Sequence, residues 1–224
     1  MKYDGIIFDL DGTLWSTIES CVKSIAEVKS KHTEITREIT EQEVISSMGL
    51  PFDEIVQLYY SYLEKEKAEK YAKEAFEKNI ENLMKNGGTL YDNMTSTIKE
   101  LSKQSSLYIV SNCIEGYIES FLRSSNLQDY FKDFESNGRT GLSKGENIKL
   151  IIERNNIKNA IYVGDTISDK MAADYAKIPF VYASYGFGSV EQYDYKIDSI
   201  SEIMKVVVTG TGDFWNRKGE LNVS

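Results

Sequence analysis

The stretch Ile6-Ile7-Phe8-Asp9-Leu10-Asp11-Gly12-Thr13-Leu14 carries the strongest structural signal in the chain. Its first three residues are apolar and predict a short buried strand. Asp9 and Asp11 follow where that strand ends. Because the chain is already turning there, we expect the two carboxylates to converge on one small volume, and Gly12 lets the backbone approach a ligand closely.

Two converging carboxylates suit the chemistry of phosphate esters. One can attack phosphorus and form an aspartyl-phosphate, while the other protonates the leaving oxygen and later activates water. Their combined negative charge would repel a phosphate group. The pair therefore also predicts a hard cation such as Mg²⁺, which prefers oxygen ligands.

A calcium-binding loop of the D-x-D-x-D-G type is an alternative for the same residues. It fails on register, because counting Asp9 as the first ligand puts Leu14 at the glycine position. The closing acidic position then falls on Ser20, which is no bidentate ligand. An aspartate-rich turn with no chemical role remains an alternative interpretation of these residues alone.

Three later segments also place polar residues at the ends of predicted elements. They are Leu107-Tyr108-Ile109-Val110 followed by Ser111-Asn112, Lys144 before a helical pattern, and Ile161-Tyr162-Val163-Gly164-Asp165 followed by Asp169. Ser111-Asn112 is also compatible with a simple turn or helix cap, and a lone lysine is usually solvated surface. Gly164-Asp165 is more specific, because open α/β sheets bind ligands at the carboxyl ends of their strands.

The apolar pattern predicts an α/β fold with a Rossmann-like parallel sheet flanked by helices. Strand-like runs occur at residues 5–9, 107–111, 160–164 and 180–183, and helical patterns occur near residues 114–124, 145–155 and 168–177. In such a sheet the ends of the strands meet at one edge. We therefore expect Asp9, Ser111, Lys144 and Asp165 to lie together.

Residues 16–87 interrupt this alternation with apolar residues at helical spacing, which predicts an inserted helical domain. The expected organisation is an α/β catalytic core at residues 1–15 and 88–208, a helical cap domain at residues 16–87, and a polar, loop-like C-terminal tail at residues 209–224. Gly210-Thr211-Gly212 in the tail is too short to indicate a phosphate-binding loop.

In their order, the four polar segments resemble the four motifs of the haloacid dehalogenase superfamily of phosphohydrolases. The first stretch resembles the D-x-D-G-T-L motif, and residues 164–169 resemble the G-D-x-x-x-D motif. The helical insertion resembles the family's C1-type cap, and the layout is similar to phosphoglycolate phosphatase-like members. Ser143-Lys144-Gly145-Glu146 departs from the K-P-x-P found in many of those members.

The resemblance implies a role for each matched residue. Asp9 would be the nucleophile and Asp11 the general acid and base. Ser111, Asn112 and Lys144 would bind the phosphoryl oxygens. The implied Mg²⁺ ligands are Asp9, the backbone carbonyl of Asp11, Asp165 and, directly or through a hydrogen bond, Asp169.

The implied activity is Mg²⁺-dependent hydrolysis of a small-molecule phosphate monoester, with a phosphoglycolate-like compound as one expectation. A β-phosphoglucomutase-like enzyme would use the same motifs and remains an alternative. A non-catalytic module that binds a phosphorylated metabolite is a second alternative, although such a module has no use for a nucleophile beside an acid.

Two loops are candidates for contact with the substrate. Residues 48–52, Met-Gly-Leu-Pro-Phe, resemble the family's specificity loop in placement, but a plain turn with proline at a helix start explains them more simply. Tyr185-Gly186-Phe187-Gly188 either faces the cap or packs against neighbouring residues.

Composition limits the partners and the compartment. A formal net charge of -9 disfavours nucleic acid, and no apolar run approaches the roughly 20 residues that span a bilayer. We expect a cytoplasmic monomer or weak homodimer. Cys21 and Cys113 form no disulfide framework, and a Cys113 nucleophile would have only His32, in a distant polar helical stretch, as its base.

Overall fold

The computed structural model of the protein describes residues 2–209 and 213–214. Its strands, in chain order, are β1 (Gly5–Phe8), β2 (Trp15–Ser16), β3 (Thr89–Leu90), β4 (Ser106–Ser111), β5 (Phe131–Ser136), β6 (Ala160–Gly164), β7 (Phe180–Ala183), β8 (Tyr195–Ile197) and β9 (Asp213–Phe214).

Ten α-helices connect or flank these strands within the described residues. They are α1 (Ile18–Lys31), α2 (Glu41–Ser47), α3 (Phe52–Tyr60), α4 (Lys65–Asn86), α5 (Met94–Leu101), α6 (Tyr117–Ser125), α7 (Asn137–Thr140), α8 (Lys144–Arg154), α9 (Ile167–Ala176) and α10 (Ile203–Thr209).

The main sheet has the order β5-β4-β1-β6-β7-β8-β9, and its first six strands run parallel. This confirms the predicted α/β fold. Strand β1 lies between β4 and β6, with Phe8 paired to Ile109 of β4 and to Val163 of β6. The three strands that carry the first, second and fourth motifs are therefore neighbours, and their carboxyl ends open on one crevice.

Both faces of the sheet are covered, which explains why its central strands are apolar throughout. Ile6 and Phe8 pack into a cluster on one face with Leu107 and Ile109. Ile7 packs on the other face with Tyr108. Side chains that alternate along each strand thus fill two separate core layers.

Helices α1 to α4 form what we call the helical insertion, residues 18–86. They pack around their own apolar cluster, which includes Val28, Tyr60 and Ala72. The chain enters and leaves the insertion through β2 and β3, which pair antiparallel to each other. The two connections therefore lie side by side beneath the insertion.

The C-terminal segment differs from the expected loop where it is described. Helix α10 extends to Thr209, and β9 adds to the sheet antiparallel to β8, so the expectation of a loop is wrong at residues 213–214. The glycine-containing stretch 210–212 and residues 215–224 lie outside the described residues. Among the described helices, none has the length and apolar character that crossing a membrane requires.

Candidate active site

Lys144 forms salt bridges with two carboxylates at the edge of the sheet where the parallel strands end. Its Nζ lies 3.0 Å from Asp9 Oδ1 and 2.6 Å from Asp169 Oδ1. All three side chains are at most 3% exposed. Asp9 follows β1, Lys144 begins α8 and Asp169 lies in the first turn of α9, so the topology brings together residues that are far apart in sequence.

This burial, together with the charges of neighbouring groups, shifts the pKa values of the clustered side chains. Burial alone would lower the pKa of Lys144, but the carboxylates of Asp169 and Asp9 outweigh it and raise that pKa above its usual value. Burial and the nearby charge of Asp169 raise the pKa of Asp9 to about 7, against the opposing effect of Lys144. One lysine therefore does not neutralise the carboxylates around it.

Asp165 completes the acidic cluster. Oxygens of Asp9, Asp165 and Asp169 lie within 4.8 Å of one another. Burial, together with the charges of Asp169 and Asp9, raises the pKa of Asp165 to about 8. Asp165 Oδ2 accepts a 2.7 Å hydrogen bond from the backbone N–H of Phe187, whereas Oδ1 is buried without a partner among the described atoms.

Two glycines allow the backbone to pack tightly against Asp165. A Cβ on Gly12, whose φ is +82°, would lie 2.2 Å from Asp165 Oδ2. A Cβ on Gly186 would lie 2.3 Å from Asp165 Cβ. Both distances are far below van der Waals contact, so any larger residue would displace the carboxylate.

The cluster fits a divalent cation. Three carboxylates face one ammonium group, which leaves two negative charges unbalanced when all are ionised. The unpartnered oxygen of Asp165 is a free donor, and an all-oxygen set is what hard cations prefer. Lys144 donates to Oδ1 of Asp169 and the Thr166 hydroxyl donates to Oδ2, at 2.6 Å each, so both oxygens of this carboxylate already have protein partners.

Asp11 lies beside this cluster but has different partners. The hydroxyl groups of Thr17 and Tyr117 donate to its Oδ1 at 2.8 and 3.0 Å. Burial raises the pKa of Asp11 to about 6, while these two hydrogen bonds act in the opposite direction. Thr17 and Tyr117 could not be identified from sequence, because neither belongs to a motif and their contact with Asp11 depends on how distant segments of the chain meet.

The remaining predicted residues, Ser111 and Asn112, lie at the carboxyl end of β4, which flanks β1 on the side away from β6. Ser111, at the end of β4, and Asn112 line a cavity of about 90 Å³ together with Asp9 and Asp11. The Asn112 side-chain amide donates a 2.9 Å hydrogen bond to the carbonyl of Gly49 in the helical insertion. One of the predicted phosphate-binding groups is thus held by the insertion.

The loop between α2 and α3 is both a helix connection and part of the site. Pro51 immediately precedes Phe52, the first residue of α3, as the simpler interpretation predicted. Met48, Gly49 and Leu50 nevertheless line the cavity. The sequence could not distinguish the two roles because one loop fills both.

The unusual segment around Lys144 has a structural explanation. Ser143 caps α8 through its side chain, and the Glu146 carboxylate accepts from the Ser143 backbone N–H at 2.9 Å. This capping box fixes the first turn of α8, in which Lys144 is the first residue. The S-x-x-E spacing of Ser143 and Glu146 is the sequence signal for this capping box.

In the loop of residues 185–188, Phe187 faces the helical insertion and Tyr185 packs against neighbouring residues of the core. Phe187 packs against the apolar cluster of the insertion, whereas the Tyr185 hydroxyl donates to the Thr13 carbonyl at 2.9 Å. Cys113 lines the cavity, but burial raises the pKa of its thiol. His32 instead contacts Glu74 at 2.7 Å within the insertion, so the two do not form a nucleophile and base.

Comparison with known proteins agrees with this geometry. The family model of haloacid dehalogenase-like hydrolases matches residues 6–183. The chain belongs to this family. The match confirms the resemblance drawn from the four motifs and identifies the protein as a haloacid dehalogenase-like hydrolase. Comparison of this hydrolase with curated proteins gave no match.

Solved structures show the same fold. A predicted phosphatase from Clostridium acetobutylicum has 24% identity and a TM-score of 0.75, covering 92% of this hydrolase and 98% of that chain. A predicted phosphoglycolate phosphatase from Haemophilus somnus 129pt has 21% identity and a TM-score of 0.81, covering 92% and 99%. CbbY from Rhodobacter sphaeroides, in complex with xylulose-(1,5)bisphosphate, has 16% identity and a TM-score of 0.74, covering 89% and 96%.

Proposed function

We propose that this hydrolase is a Mg²⁺-dependent phosphatase that cleaves a small-molecule phosphate monoester through an aspartyl-phosphate on Asp9. The observation that carries the proposal is the contrast between two acids that line one cavity. Asp9 faces the Lys144 ammonium, whereas hydroxyl groups hold Asp11. Two carboxyl groups in different surroundings can divide nucleophilic and acid–base roles.

In the first half-reaction Asp9 attacks phosphorus. A bond forms between an Asp9 carboxylate oxygen and phosphorus, and the bond between phosphorus and the alcohol oxygen breaks. Asp11 gives its proton to that oxygen, so the alcohol leaves neutral. A pKa of about 6 leaves a useful fraction of Asp11 protonated near neutral pH.

In the second half-reaction water attacks the aspartyl-phosphate at phosphorus. Asp11, now ionised, takes one proton from that water. The bond between phosphorus and Asp9 breaks, which releases inorganic phosphate and restores the Asp9 carboxylate. The same group thus serves as acid and then as base, and the enzyme returns to its starting state.

The acidic cluster would hold the metal through Asp9, Asp165 and the Asp11 backbone carbonyl, with Asp169 orienting Lys144 or joining as a ligand. When bound, Mg²⁺ supplies positive charge that offsets the repulsion between the carboxylates and a phosphate. Lys144, Ser111 and Asn112 would bind the phosphoryl oxygens. Such donors would stabilise the charge that develops on the phosphoryl group during transfer.

The names of the structural neighbours are compatible with a small phosphate ester. One is a predicted phosphoglycolate phosphatase, and another holds a sugar bisphosphate. Sugar phosphates would also suit the phosphomutase alternative, but a mutase must retain its sugar through polar contacts, and the cavity wall contributed by the insertion is largely apolar. A non-catalytic role would leave the Asp9 and Asp11 pair without a use.

Our proposals on location and assembly rest on composition. We propose a cytoplasmic protein, a monomer or weak homodimer, that acts on small molecules and binds neither nucleic acid nor membranes. Its formal net charge of -9 supports the exclusion of nucleic acid.

The proposal is tested by measuring phosphate release from p-nitrophenyl phosphate with Mg²⁺ or with EDTA. We expect metal-dependent release that Asp9→Asn lowers by roughly 10⁴-fold or more. Asp129→Asn is the matched control, since Asp129 is exposed on the surface. Full activity of a folded Asp9→Asn variant would overturn the assignment of the nucleophile.

A further inference from the structure

The cavity beyond Asp9 and Asp11 has a wall that is mainly apolar. The helical insertion provides most of it, through side chains that include Ile25, Met48, Leu50, Phe52, Ile55 and Phe76. Phe52 and Phe76 meet edge to face, with ring centroids 5.6 Å apart. A leaving group that enters this space exchanges water for hydrocarbon and aromatic surface, which favours an apolar group.

The wall also lacks positive charge. Among the described residues that line the cavity there is no lysine, arginine or histidine. Basic residues of the insertion pair instead with carboxylates away from the cavity: Lys78 with Glu27 and Glu81, Arg37 with Glu43, and His32 with Glu74. Lys144 is committed to Asp9 and Asp169 at the phosphoryl end. A second anionic group on the substrate would therefore be buried unpaired near two aspartates, at a large cost.

Most polar groups of the wall already have partners. The Ser47 and Tyr59 hydroxyls lie 2.5 Å apart, and Asn79 accepts a 2.6 Å hydrogen bond from Ser20. The Tyr60 hydroxyl has no partner among the described atoms, but it exposes almost no surface from which it could reach a ligand. The wall therefore presents few polar atoms to a leaving group.

We propose that the preferred substrates are phosphate monoesters of a compact, uncharged and largely apolar alcohol, of branched-chain size or smaller. The inference rests on the proposed phosphatase function and names its substrate class. An apolar cavity of roughly 150 Å³ can accept benzene, so about 90 Å³ limits the alcohol to a small body. Phosphoglycolate, whose alcohol portion carries a carboxylate, falls outside this class.

The test compares esters that differ only in a carboxylate. Propyl phosphate is compared with 3-phosphonooxypropanoate, and ethyl phosphate with phosphoglycolate, with kcat/KM measured at saturating Mg²⁺. In each pair we expect kcat/KM to be roughly 100-fold or more higher for the ester without the carboxylate. The carboxylate of the other ester would be buried against an apolar wall that offers no cation. Equal or higher kcat/KM for the carboxylated members would overturn the inference.

A variant of the wall provides a second measurement. Ile55→Lys supplies the missing cation and is expected to reduce the preference for propyl phosphate over 3-phosphonooxypropanoate by about tenfold. Ile55→Met, of similar bulk and uncharged, should keep the wild-type preference. A preference that is unchanged in Ile55→Lys would contradict the account of the wall.

Absence of hydrolysis for every ester, p-nitrophenyl phosphate included, would reject the phosphatase function, and the substrate class with it.

Discussion

The hydroxyl group of Tyr117 donates a 3.0 Å hydrogen bond to the carboxylate of Asp11, which lies 106 positions earlier in the chain. The bond favours the ionised form of Asp11 and so opposes the effect of burial, which raises the pKa to about 6. Tyr117 therefore adjusts the acidity of the group to which we assign proton transfer.

Removing this donor should shift the pH dependence of catalysis. In Tyr117→Phe the ionised form of Asp11 loses a hydrogen bond, so the pKa of Asp11 rises above about 6. Because Asp11 must be protonated to release the alcohol, the alkaline limb of kcat/KM should move to higher pH. The profile is measured at saturating Mg²⁺, with Tyr62→Phe, at an exposed position, as the control. An alkaline limb that does not move would mean that another group sets it.

Lys144 should contribute to stability chiefly by compensating buried charge. Lys144→Met leaves the carboxylates of Asp9 and Asp169 without their ammonium partner, and we expect it to lower the free energy of unfolding by about 3 kcal/mol. Urea unfolding in EDTA measures this effect. The exposed Lys132→Met should change it by less than about 0.5 kcal/mol.

A double substitution identifies the cause of that loss. Adding Asp169→Asn to Lys144→Met removes one of the carboxylate charges left without a partner. The double variant should therefore lose less free energy of unfolding than the sum of the two single variants, by about 1–3 kcal/mol. Strictly additive costs would show that Lys144 and Asp169 do not stabilise each other.

The metal-free enzyme should lose stability as the pH rises. With its pKa raised to about 8, the Asp165 carboxyl keeps its proton in the folded chain where the unfolded chain, with an ordinary value of 3.8, has lost it. The folded state then binds more protons, so this group's contribution to stability falls between pH 3.8 and about 8. Thermal unfolding in EDTA should show this decline, and Mg²⁺ should raise the melting temperature most at the alkaline end.

Asp165→Asn isolates that contribution. The variant lacks the titrating carboxyl, so its melting temperature in EDTA should vary less with pH above 5 than that of the wild type, and Mg²⁺ should stabilise it less. Asp129→Asn, at an exposed site, should follow the wild type. Parallel pH curves for wild type and Asp165→Asn would rule out this account of the cluster.

The sheet could be predicted from sequence because its signals are local. The apolar run Ile6-Ile7-Phe8 forms β1, and the predicted runs at 160–164 and 180–183 coincide with β6 and β7. Strands buried on both faces read as continuous apolar runs, and parallel order brings their ends together without further information. The proximity of Asp9, Lys144 and Asp165 followed from that topology.

The parts that could not be predicted depend on contacts between distant segments. Tyr117, at the start of α6, reaches Asp11 across a separation of 106 residues, and no local pattern encodes that contact. Apolar residues of the insertion such as Ile25 and Phe76 read only as helix core, whereas the structure places them on the cavity wall. Strand β9 was missed because Asp213 and Phe214 form a pairing too short to leave a periodic signal.

The most direct test of the account is to trap the intermediate on Asp9. The enzyme is mixed with p-nitrophenyl phosphate and Mg²⁺, quenched during turnover with borohydride, which reduces an acyl phosphate to an alcohol, and analysed by peptide mass spectrometry. The account predicts that residue 9 is converted from aspartate to homoserine and that EDTA prevents the conversion. Rapid turnover with unmodified Asp9, or with reduction at a different carboxylate, would contradict it.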